Sequence, residues 1–540
     1  MNHVSDIRQS DKGDQLLPAH SIPDLVFQAA QKYPNITAIE DQDEKISYQQ
    51  LPQRALAVSK ALIQQGIQPG DRVAIWAPNS ARWVLAALGL QMAGAVMVPL
   101  NTRMKAKEAA DILERSGARV LFMIGDFLDV DYPAMLAPEC PATVERKVLI
   151  TPRSGELMEG VVDWEAYLQQ GNFVTDEFAQ KRAQAVGPDD LSDLMFTSGT
   201  TGKPKGVMSA HGACLKVFNQ YVQVTGIRPG DRYLVVNPFF HAFGYKAGWV
   251  TCLLAGATIL PQSVFDAEEV FARIEQDKIN ILPGPPTLYL SLLAHPKLAQ
   301  ADLSSLRVAV TGAATIPPVL IEQMRNDLGF EVVTTAYGLT ECGGLATICD
   351  PDIDAETIAT TSGKAVAGTE VSIQDSDGNI LAAGASGEIC LRGFHVMQGY
   401  YQNESATAET IDSDGWLHTG DVGSLDDNGY LKITDRLKDM FIVGGFNCYP
   451  AEIEATLAEH PAIAQSAVIG VPDERMGEVG CAFVVLKSGT ELQSDELIQW
   501  SRQRMANYKV PRFVRFVAEL PVNASNKVVK AELVEQFHQA

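Results

Sequence analysis

The chain has 540 residues, 46% of them hydrophobic and 20% charged, a composition that excludes extended disorder. This length exceeds what one hydrophobic core supports and predicts two or more domains. Lys and Arg number 43 against 66 Asp and Glu, and the formal net charge of −23 disfavours nucleic-acid binding because phosphates would be repelled. A polyanionic ligand such as a nucleotide therefore needs a local positive site.

The predicted elements of the first 340 residues alternate between amphipathic helices and short apolar strands. This alternation predicts an α/β fold in which helices cover parallel sheets. The longest apolar stretch, residues 83–100, fits a helix followed by a strand better than a membrane span, because Gln91 and Pro99 interrupt it. The predicted helices are 25–33, 83–94, 109–117, 270–278 and 319–329, and the predicted strands are 72–78, 95–100, 118–125, 279–286 and 330–338.

The sequence pattern changes after about residue 360. Residues 369–381, 387–393 and 429–435 read as short strands with turn dipeptides between them, as in hairpins or a small barrel. The section from about residue 436 alternates helices and strands and predicts a compact α+β unit. We therefore expect three parts: a loose polar tail at 1–20, an N-terminal domain at 21–435, and a C-terminal domain at 436–540.

Eight scattered cysteines form no C-x-x-C pair, which predicts free thiols in a reducing compartment and hence a cytoplasmic protein. The first 20 residues lack the apolar run of a secretory signal. No integral membrane segment is expected. The sequence leaves the oligomeric state open, a homodimer included.

The strongest motif is the segment TSGTTGKPKG at 197–206, which follows the apolar run 194–196 and precedes the helical pattern 207–218. Its glycines let backbone N–H groups turn inward, while its hydroxyls and lysines add donors and positive charge, as a polyphosphate requires. It is not a Walker A loop, because Pro204 follows Lys203. The predicted nucleotide-binding residues here are Thr197, Ser198, Gly199, Thr200, Thr201, Gly202 and Lys203.

This segment resembles the phosphate loop of the adenylate-forming superfamily, which includes acyl-CoA synthetases, non-ribosomal adenylation domains and firefly luciferase. Further signatures of the superfamily follow in order from about residue 25 to the C-terminus. The resemblance implies a large N-terminal AMP-binding domain of helix-covered parallel sheets with a small β-barrel-like part, then a small mobile α+β lid domain. It also implies ATP, Mg²⁺ and coenzyme A as cofactor and co-substrates.

The segment YGLTE at 337–341 directly follows an apolar strand, at the sheet edge where α/β proteins bind ligands. A tyrosine ring can stack on a purine, a threonine hydroxyl can donate to a phosphate, and a glutamate offers Mg²⁺ a hard oxygen. The resemblance implies catalytic roles for Thr340 and Glu341, with Glu341 as the metal ligand. It implies adenine and AMP contacts for Gly312, Ala313, Ala336, Tyr337 and Gly338.

The segment NPFFHAFGY at 237–245 places a histidine among aromatic residues, which by itself indicates a core histidine more often than a functional one. In the resembling family this position lines or gates the acyl pocket. We therefore expect His241 to line that pocket, together with Ala314 and Gly343.

The remaining signatures lie in the last quarter of the chain. The segment GWLHTGD at 415–421 ends on Asp421, which by resemblance accepts hydrogen bonds from the ribose diol. Arg436 matches a ribose or α-phosphate contact, and Lys438 matches the hinge between the domains. Gly444 and Gly445 match the turn that approaches the pantetheine arm of CoA. Lys527 matches the catalytic lysine of adenylation, although Asn526 stands where many members have glycine.

The resemblance implies an ATP-dependent acid–CoA ligase that forms an acyl-AMP and then a thioester from a small-molecule carboxylic acid. Four segments look most like the branch that activates a bicyclic indane propanoate derived from sterol rings. They are 237–248, 308–320, 335–341 and 358–368. A medium- or long-chain fatty acid stays open as the substrate, and so does a carrier protein as the acceptor. A catalytically inactive homologue that serves as a binding protein is a further alternative.

Overall fold

The computed structural model describes residues 17–42, 44–151, 156–197, 204–312, 316–436, 439–443, 446–473, 476–505, 507–523 and 528–539. For residues 435, 436, 442, 446, 447 and 452 it describes the backbone alone.

The strands of these residues are short in the first 400 positions and longest near the C-terminus. In chain order they are β1 (Thr37–Asp41), β2 (Glu44–Ser47), β3 (Arg72–Trp76), β4 (Val96–Pro99), β5 (Val120–Met123), β6 (Asp126–Phe127), β7 (Val130–Asp131), β8 (Arg146–Leu149), β9 (Val161–Asp163), β10 (Leu191–Thr197), β11 (Lys205–Ala210), β12 (Arg232–Val235), β13 (Thr258–Pro261), β14 (Val308–Gly312), β15 (Val332–Tyr337), β16 (Thr347–Ile348), β17 (Lys364–Ala365), β18 (Thr369–Gln374), β19 (Gly387–Gly393), β20 (Leu417–Leu425), β21 (Leu431–Arg436), β22 (Phe441–Val443), β23 (Phe446–Cys448), β24 (Ile463–Asp473), β25 (Gly477–Leu486) and β26 (Phe513–Phe516).

The helices begin mostly at side-chain caps or at proline. In chain order they are α1 (Ile22–Lys32), α2 (Leu51–Gln64), α3 (Ala81–Met92), α4 (Ala106–Ser116), α5 (Tyr132–Leu136), α6 (Trp164–Gln170), α7 (Asp176–Gln184), α8 (His211–Thr225), α9 (Ala242–Gly244), α10 (Thr251–Ala255), α11 (Ala267–Asp277), α12 (Pro286–Leu293), α13 (Pro318–Asn326), α14 (Ala355–Thr360), α15 (Glu404–Thr410), α16 (Pro450–Ala458), α17 (Ser494–Arg502) and α18 (Lys530–Gln539).

The largest sheet has seven strands in the order β11-β10-β4-β3-β5-β8-β9. Its pairs are parallel except β10 with β11, which are antiparallel. Strands β4 and β5 are buried along their whole length, as continuous apolar runs are when helices cover both faces. The predicted helix and strand at 83–100 are α3 and β4. The prediction of helix-covered parallel sheets is confirmed.

Two further sheets have four strands each. One has the order β12-β13-β1-β2 and so includes the first two strands of the chain, and the other has the order β14-β15-β16-β17. A strand is predicted at 279–286, but only Ile281 pairs there, through one isolated bridge to Tyr233 of β12 and another to Val308 of β14. The prediction of a full strand is wrong because prolines occupy 283, 285 and 286 and cannot donate to a ladder.

The C-terminal region builds a five-stranded sheet in the order β23-β22-β25-β24, with β26 parallel to β25. Its apolar core contains Phe441, Val468, Phe483 and Leu533, all of which are buried. Before it in the chain, β18 to β21 form a four-stranded sheet in that order, where short strands were expected.

The chain divides into two compact units. Of the described residues, the larger unit holds those up to Val371 together with Leu391–Leu417, and the smaller holds Ser372–Cys390 and those from His418 onwards. The boundary between residues 435 and 436 stays a prediction.

None of the eight cysteines, all of them among the described residues, forms a disulfide, as expected from their spacing. Among the described residues, no helix is both long and apolar enough to cross a membrane.

Candidate active site

Two paired strands flank the predicted phosphate loop. Strand β10 ends at Thr197, β11 begins at Lys205, and these two residues pair across the antiparallel ladder. The prediction that a helix follows the loop directly is wrong, because Lys205–Ala210 forms β11 and α8 begins only at His211. Gly206 and Val207 pair with Phe196 and Met195 in that ladder, so the strand is fixed by a long-range partner that a local helical pattern does not reveal.

Glu341 connects this pair of strands to the segment that follows β15. Thr197 Oγ1 donates to Glu341 Oε1 over 3.2 Å, and the Tyr400 hydroxyl donates to the same oxygen over 3.0 Å. Thr340 and Glu341 begin the 3₁₀ turn Thr340–Cys342. Two residues predicted from separate motifs, Thr197 and Glu341, are therefore in direct contact.

Tyr400 is a site residue that the sequence analysis missed. Its segment pairs with the edge of β11. The Met208 N–H donates to Gly399 O at 3.1 Å, and the Tyr401 N–H donates to Gly206 O at 2.7 Å. Lys205 Nζ lies 4.8 Å from the centre of the Tyr400 ring. Burial and the neighbouring Glu341 charge raise the pKa of Tyr400, so its hydroxyl remains a donor at neutral pH.

The predicted adenine segment is assembled by two parallel strands. Gly312 at the end of β14 lies opposite Ala336 of β15, with Tyr337 next to it. Gly338 follows at a point of close approach, since a Cβ there would lie 2.4 Å from the carbonyl oxygen of Gly344. Only glycine fits this crossing of two backbones. Strand pairing thus brings Gly312, Ala336 and Tyr337 together, and their contact with adenine stays a prediction.

His241 precedes α9, and its Nδ1 accepts from the Phe243 N–H over 3.3 Å. The surrounding protein lowers the pKa of His241, yet much of the residue is exposed. A pocket-lining role of His241 stays a prediction.

The loop that carries His241 is fastened by Asn79, a second residue that sequence analysis missed. The buried Asn79 amide donates to Val235 O at 3.0 Å and Asn237 O at 2.9 Å, and its oxygen accepts from Phe239 N at 2.7 Å. All three contacts are to backbone, so the sequence of the loop carries no signal for them.

Gly343 has a left-handed backbone, with φ of 72°, and ends the turn that carries Glu341. Its neighbour Gly344 packs closely on Ala242, because a Cβ at Gly344 would lie 3.0 Å from the Ala242 Cβ. These glycines serve the packing of the Glu341 turn on the His241 segment. A pocket-lining role of Gly343 stays a prediction.

In the smaller unit, Asp421 of β20 lies directly opposite Arg436 of β21 in the antiparallel ladder. Glu388 holds the residues just before Asp421 in place. Its carboxylate contacts His418 Nδ1 at 2.8 Å and accepts from the Gly420 N–H at 2.9 Å. Two predicted nucleotide ligands are thus brought together on one ladder.

The other predicted site residues lie outside the described residues. They are Ser198, Gly199, Thr200, Thr201, Gly202, Lys203, Ala313, Ala314, Lys438, Gly444, Gly445 and Lys527.

A parallel-strand edge that carries a glutamate, a hydroxyl-rich loop and a glycine crossing is what a nucleotide-activating enzyme needs. The chain belongs to the AMP-binding enzyme family, whose model matches residues 26–401. The model of the AMP-binding enzyme C-terminal domain matches residues 452–527.

Two relatives carry the same name, 3-[(3aS,4S,7aS)-7a-methyl-1,5-dioxo-octahydro-1H-inden-4-yl]propanoyl:CoA ligase. The protein of Rhodococcus jostii is 49% identical over 95% of this chain and 98% of its own length. The protein of Mycobacterium tuberculosis is 48% identical over the same shares.

Solved structures agree with this family. The anthranilate CoA ligase AuaEII in complex with anthranoyl-AMP is similar with a TM-score of 0.84 and 28% identity, covering 98% of this chain and 99% of that one. ATP-bound MatB from Rhodopseudomonas palustris is similar with a TM-score of 0.82 and 28% identity, covering 96% and 99%.

Proposed function

We propose that the protein is an ATP-dependent acid–CoA ligase that forms an acyl-AMP and then an acyl-CoA thioester. The contact between Thr197 and Glu341 carries this proposal, because it joins the predicted phosphate loop to the predicted metal ligand. The family match and the CoA ligases among the relatives support it.

The first step is attack of a carboxylate oxygen on the α-phosphorus of ATP, with pyrophosphate as the leaving group. A carboxylate is already ionised at neutral pH, so the chain need not supply a base. Its task is to orient the acid and to meet the negative charge that develops on the phosphates. The hydroxyls and lysines of the loop serve that purpose, and Lys527 from the C-terminal region adds a further positive charge.

The surroundings of Glu341 fit a magnesium ion. Among the described residues, hydrogen bonds to its carboxylate fall on Oε1 alone, which leaves Oε2 as a hard oxygen ligand. When bound, Mg²⁺ neutralises phosphate charge. Thr197 and Tyr400 hold the carboxylate in one orientation for it.

In the second step the CoA thiolate attacks the acyl carbonyl and AMP leaves. We infer that the C-terminal domain turns about Lys438 between the two steps, as the resemblance implies. This turn withdraws Lys527 and brings Gly444 and Gly445 to the pantetheine arm. Small residues are needed there because a side chain would obstruct the thiol.

For the acid, we propose the bicyclic dioxo-octahydroindenyl propanoate named for the two relatives. Identity of 49% and 48% over nearly the whole chain supports this choice. The medium-chain acyl-CoA ligase of Homo sapiens, named ACSF2, is 31% identical over 94% of this chain, so medium-chain fatty acids are the second candidates.

A panel of carboxylic acids, scored by AMP release with CoA present, tests the proposal. We expect the indenyl propanoate to give the highest kcat/KM, with decanoate and ferulate at least tenfold lower. A preference for decanoate would make a medium-chain fatty acid the substrate and leave the proposed two-step chemistry unchanged. AMP release that requires a carrier protein instead of CoA would make the carrier protein the acceptor. No AMP release with any acid would refute the enzyme itself.

A further inference from the structure

Lys246 and Asp193 form an ion pair that is completely buried. Both side chains have 0% exposure, and Lys246 Nζ lies 3.2 Å from Asp193 Oδ1. Ser209 Oγ accepts from the lysine at 3.0 Å, and Ser192 Oγ donates to the second carboxylate oxygen at 2.6 Å. A buried ion pair is weak evidence for stability, because desolvating two charges costs about as much as their attraction gains. The pair therefore needs another explanation.

The acidic half of the pair belongs to the phosphate-loop hairpin. Asp193 lies on β10, four residues before Thr197, and Ser209 is its partner residue on β11. Lys246 consequently contacts both strands that enter and leave the predicted loop. A shift of the lysine would move the base of the hairpin.

The basic half belongs to the His241 segment. Lys246 lies five residues after His241, in the π-helical stretch Tyr245–Val250 between α9 and α10. Such stretches are rare and often lie at functional sites. The Gln91 amide makes a second link, donating to Ser192 O at 3.2 Å and to the Tyr245 hydroxyl at 3.0 Å. Two adjacent hairpin residues thus connect to two adjacent residues of the π-helical stretch.

We propose that Lys246 and Asp193 are a positioning pair that holds the phosphate loop in register with the acyl pocket. This inference rests on the proposed function, in which the triphosphate lies at the loop and the acid beside His241. An apolar contact would let the two elements slide, whereas a charged pair with two serine partners fixes one arrangement. In-line attack of the acid on the α-phosphorus tolerates little displacement.

The pair must then transmit binding of the acid to the hairpin in the wild-type protein. Hydrogen–deuterium exchange of the wild-type protein with and without the free carboxylic acid substrate, in the absence of nucleotide, measures this directly. We expect slower exchange of amides in 191–197 and 204–210 at saturating acid. Unchanged exchange in both strands, with protection around 239–250, would overturn the proposal.

A double variant, Lys246→Met with Asp193→Asn, removes both charges and leaves neither one unpaired. We expect a melting temperature close to that of the wild type and a ten- to hundredfold lower kcat for acid-dependent pyrophosphate exchange. Conversion of supplied acyl-AMP and CoA to thioester should stay within twofold. Wild-type exchange kinetics in the double variant would overturn the proposal. If the variant fails to fold, the wild-type exchange measurement decides.

The matched control is the pair Arg307–Asp231, which is mostly buried and lies just before β14 and β12, at the opposite end of β14 from Gly312. Arg307→Met with Asp231→Asn should leave the pyrophosphate-exchange kcat of the folded protein unchanged. Failure of the wild-type protein to activate any acid refutes the proposed function. Normal activation without protection of the hairpin refutes only the positioning pair.

Discussion

Glu341 receives hydroxyl donors from two distant parts of the chain, Thr197 and Tyr400, on a single carboxylate oxygen. The sequence marks Thr197 and Glu341 through their motifs. It does not mark Tyr400, because this residue acquires its role only when its segment pairs with β11. At the scale of single residues, the site therefore contains more than its motifs.

Replacing Tyr400 by phenylalanine removes one donor and little volume. A hydrogen bond to a charged group contributes about 1.5–3 kcal/mol, so we expect kcat/KM for Mg·ATP to fall roughly 10- to 100-fold. Steady-state AMP release measures this effect. Tyr401→Phe is the matched control, since that hydroxyl contacts Gln402 instead. Equal kinetics for Tyr400→Phe and the wild type would remove Tyr400 from the site.

His395 is a residue whose burial predicts a pH effect on stability. It is 2% exposed, neither ring nitrogen has a hydrogen-bond partner among the described residues, and burial lowers its pKa to about 4. The unfolded chain binds a proton near pH 6.5, whereas the folded protein does not until about pH 4. The stability contribution of this histidine is therefore present above pH 6.5 and is lost as the pH falls towards 4.

We expect the free energy of unfolding to decrease by about 2 kcal/mol from this residue between pH 6.5 and 5. His395→Leu removes the titration and the unpartnered nitrogens. Urea unfolding should give the variant a shallower pH slope and at least wild-type stability at pH 7.5. An identical slope in both proteins would contradict the assignment. His211, whose pKa burial lowers to about 3, keeps part of the slope in the variant.

At the scale of elements, the loop between β12 and α9 depends on a side chain 156 residues away from Val235. Asn79 fills three backbone hydrogen-bonding positions of this loop. Buried backbone groups that lose their partners are costly, and here they lie next to His241.

Asn79→Ala should therefore raise KM for the acid more than KM for ATP. We expect at least a fivefold rise for the acid and less than a twofold change for ATP, measured by pyrophosphate exchange. Asn79→Asp keeps the acceptor for Phe239 but sets a carboxylate oxygen against two carbonyl oxygens, so its effect should be at least as large as that of Asn79→Ala. A change in KM for ATP alone would show that this loop does not shape the acyl pocket.

The sequence predicts the helices and parallel strands of the larger unit well, because buried parallel strands appear as continuous apolar runs such as β4 and β5. It fails at 207–210, where a helical pattern was expected, and at 279–286. Strand β11 exists because it pairs with β10, whereas pairing at 279–286 is confined to Ile281 because prolines follow it at 283, 285 and 286. In the site, strand pairing places Gly312 opposite Ala336 and beside Tyr337, and their contact with adenine stays a prediction. Asn79, Tyr400 and Lys246 act through long-range contacts that a local motif does not encode.

At the scale of the whole molecule, the chain carries two family matches, and the smaller unit has an apolar core of its own. An independent core is what a domain needs to change orientation without unfolding. The proposed two-step chemistry assigns adenylation to Lys527 and thioester formation to the turn at Gly444 and Gly445.

Lys527→Ala should abolish acid-dependent pyrophosphate exchange, because the developing phosphate charge loses its positive partner. The same variant should form thioester from supplied acyl-AMP and CoA at a rate within a few-fold of the wild type. Lys530→Ala, three residues further on and paired with Glu454, is the matched control. Equal loss of both half-reactions in Lys527→Ala would refute the division of labour.

The path of the carboxylate oxygen tests the central claim most directly. The protein is incubated with ATP, CoA and the indenyl propanoate labelled with ¹⁸O in its carboxylate. Mass spectrometry then measures the ¹⁸O content of the nucleotide and phosphate products. Attack on the α-phosphorus predicts one ¹⁸O atom in AMP and none in pyrophosphate. Label in inorganic phosphate, with ADP as the nucleotide product, would contradict an acyl-AMP intermediate.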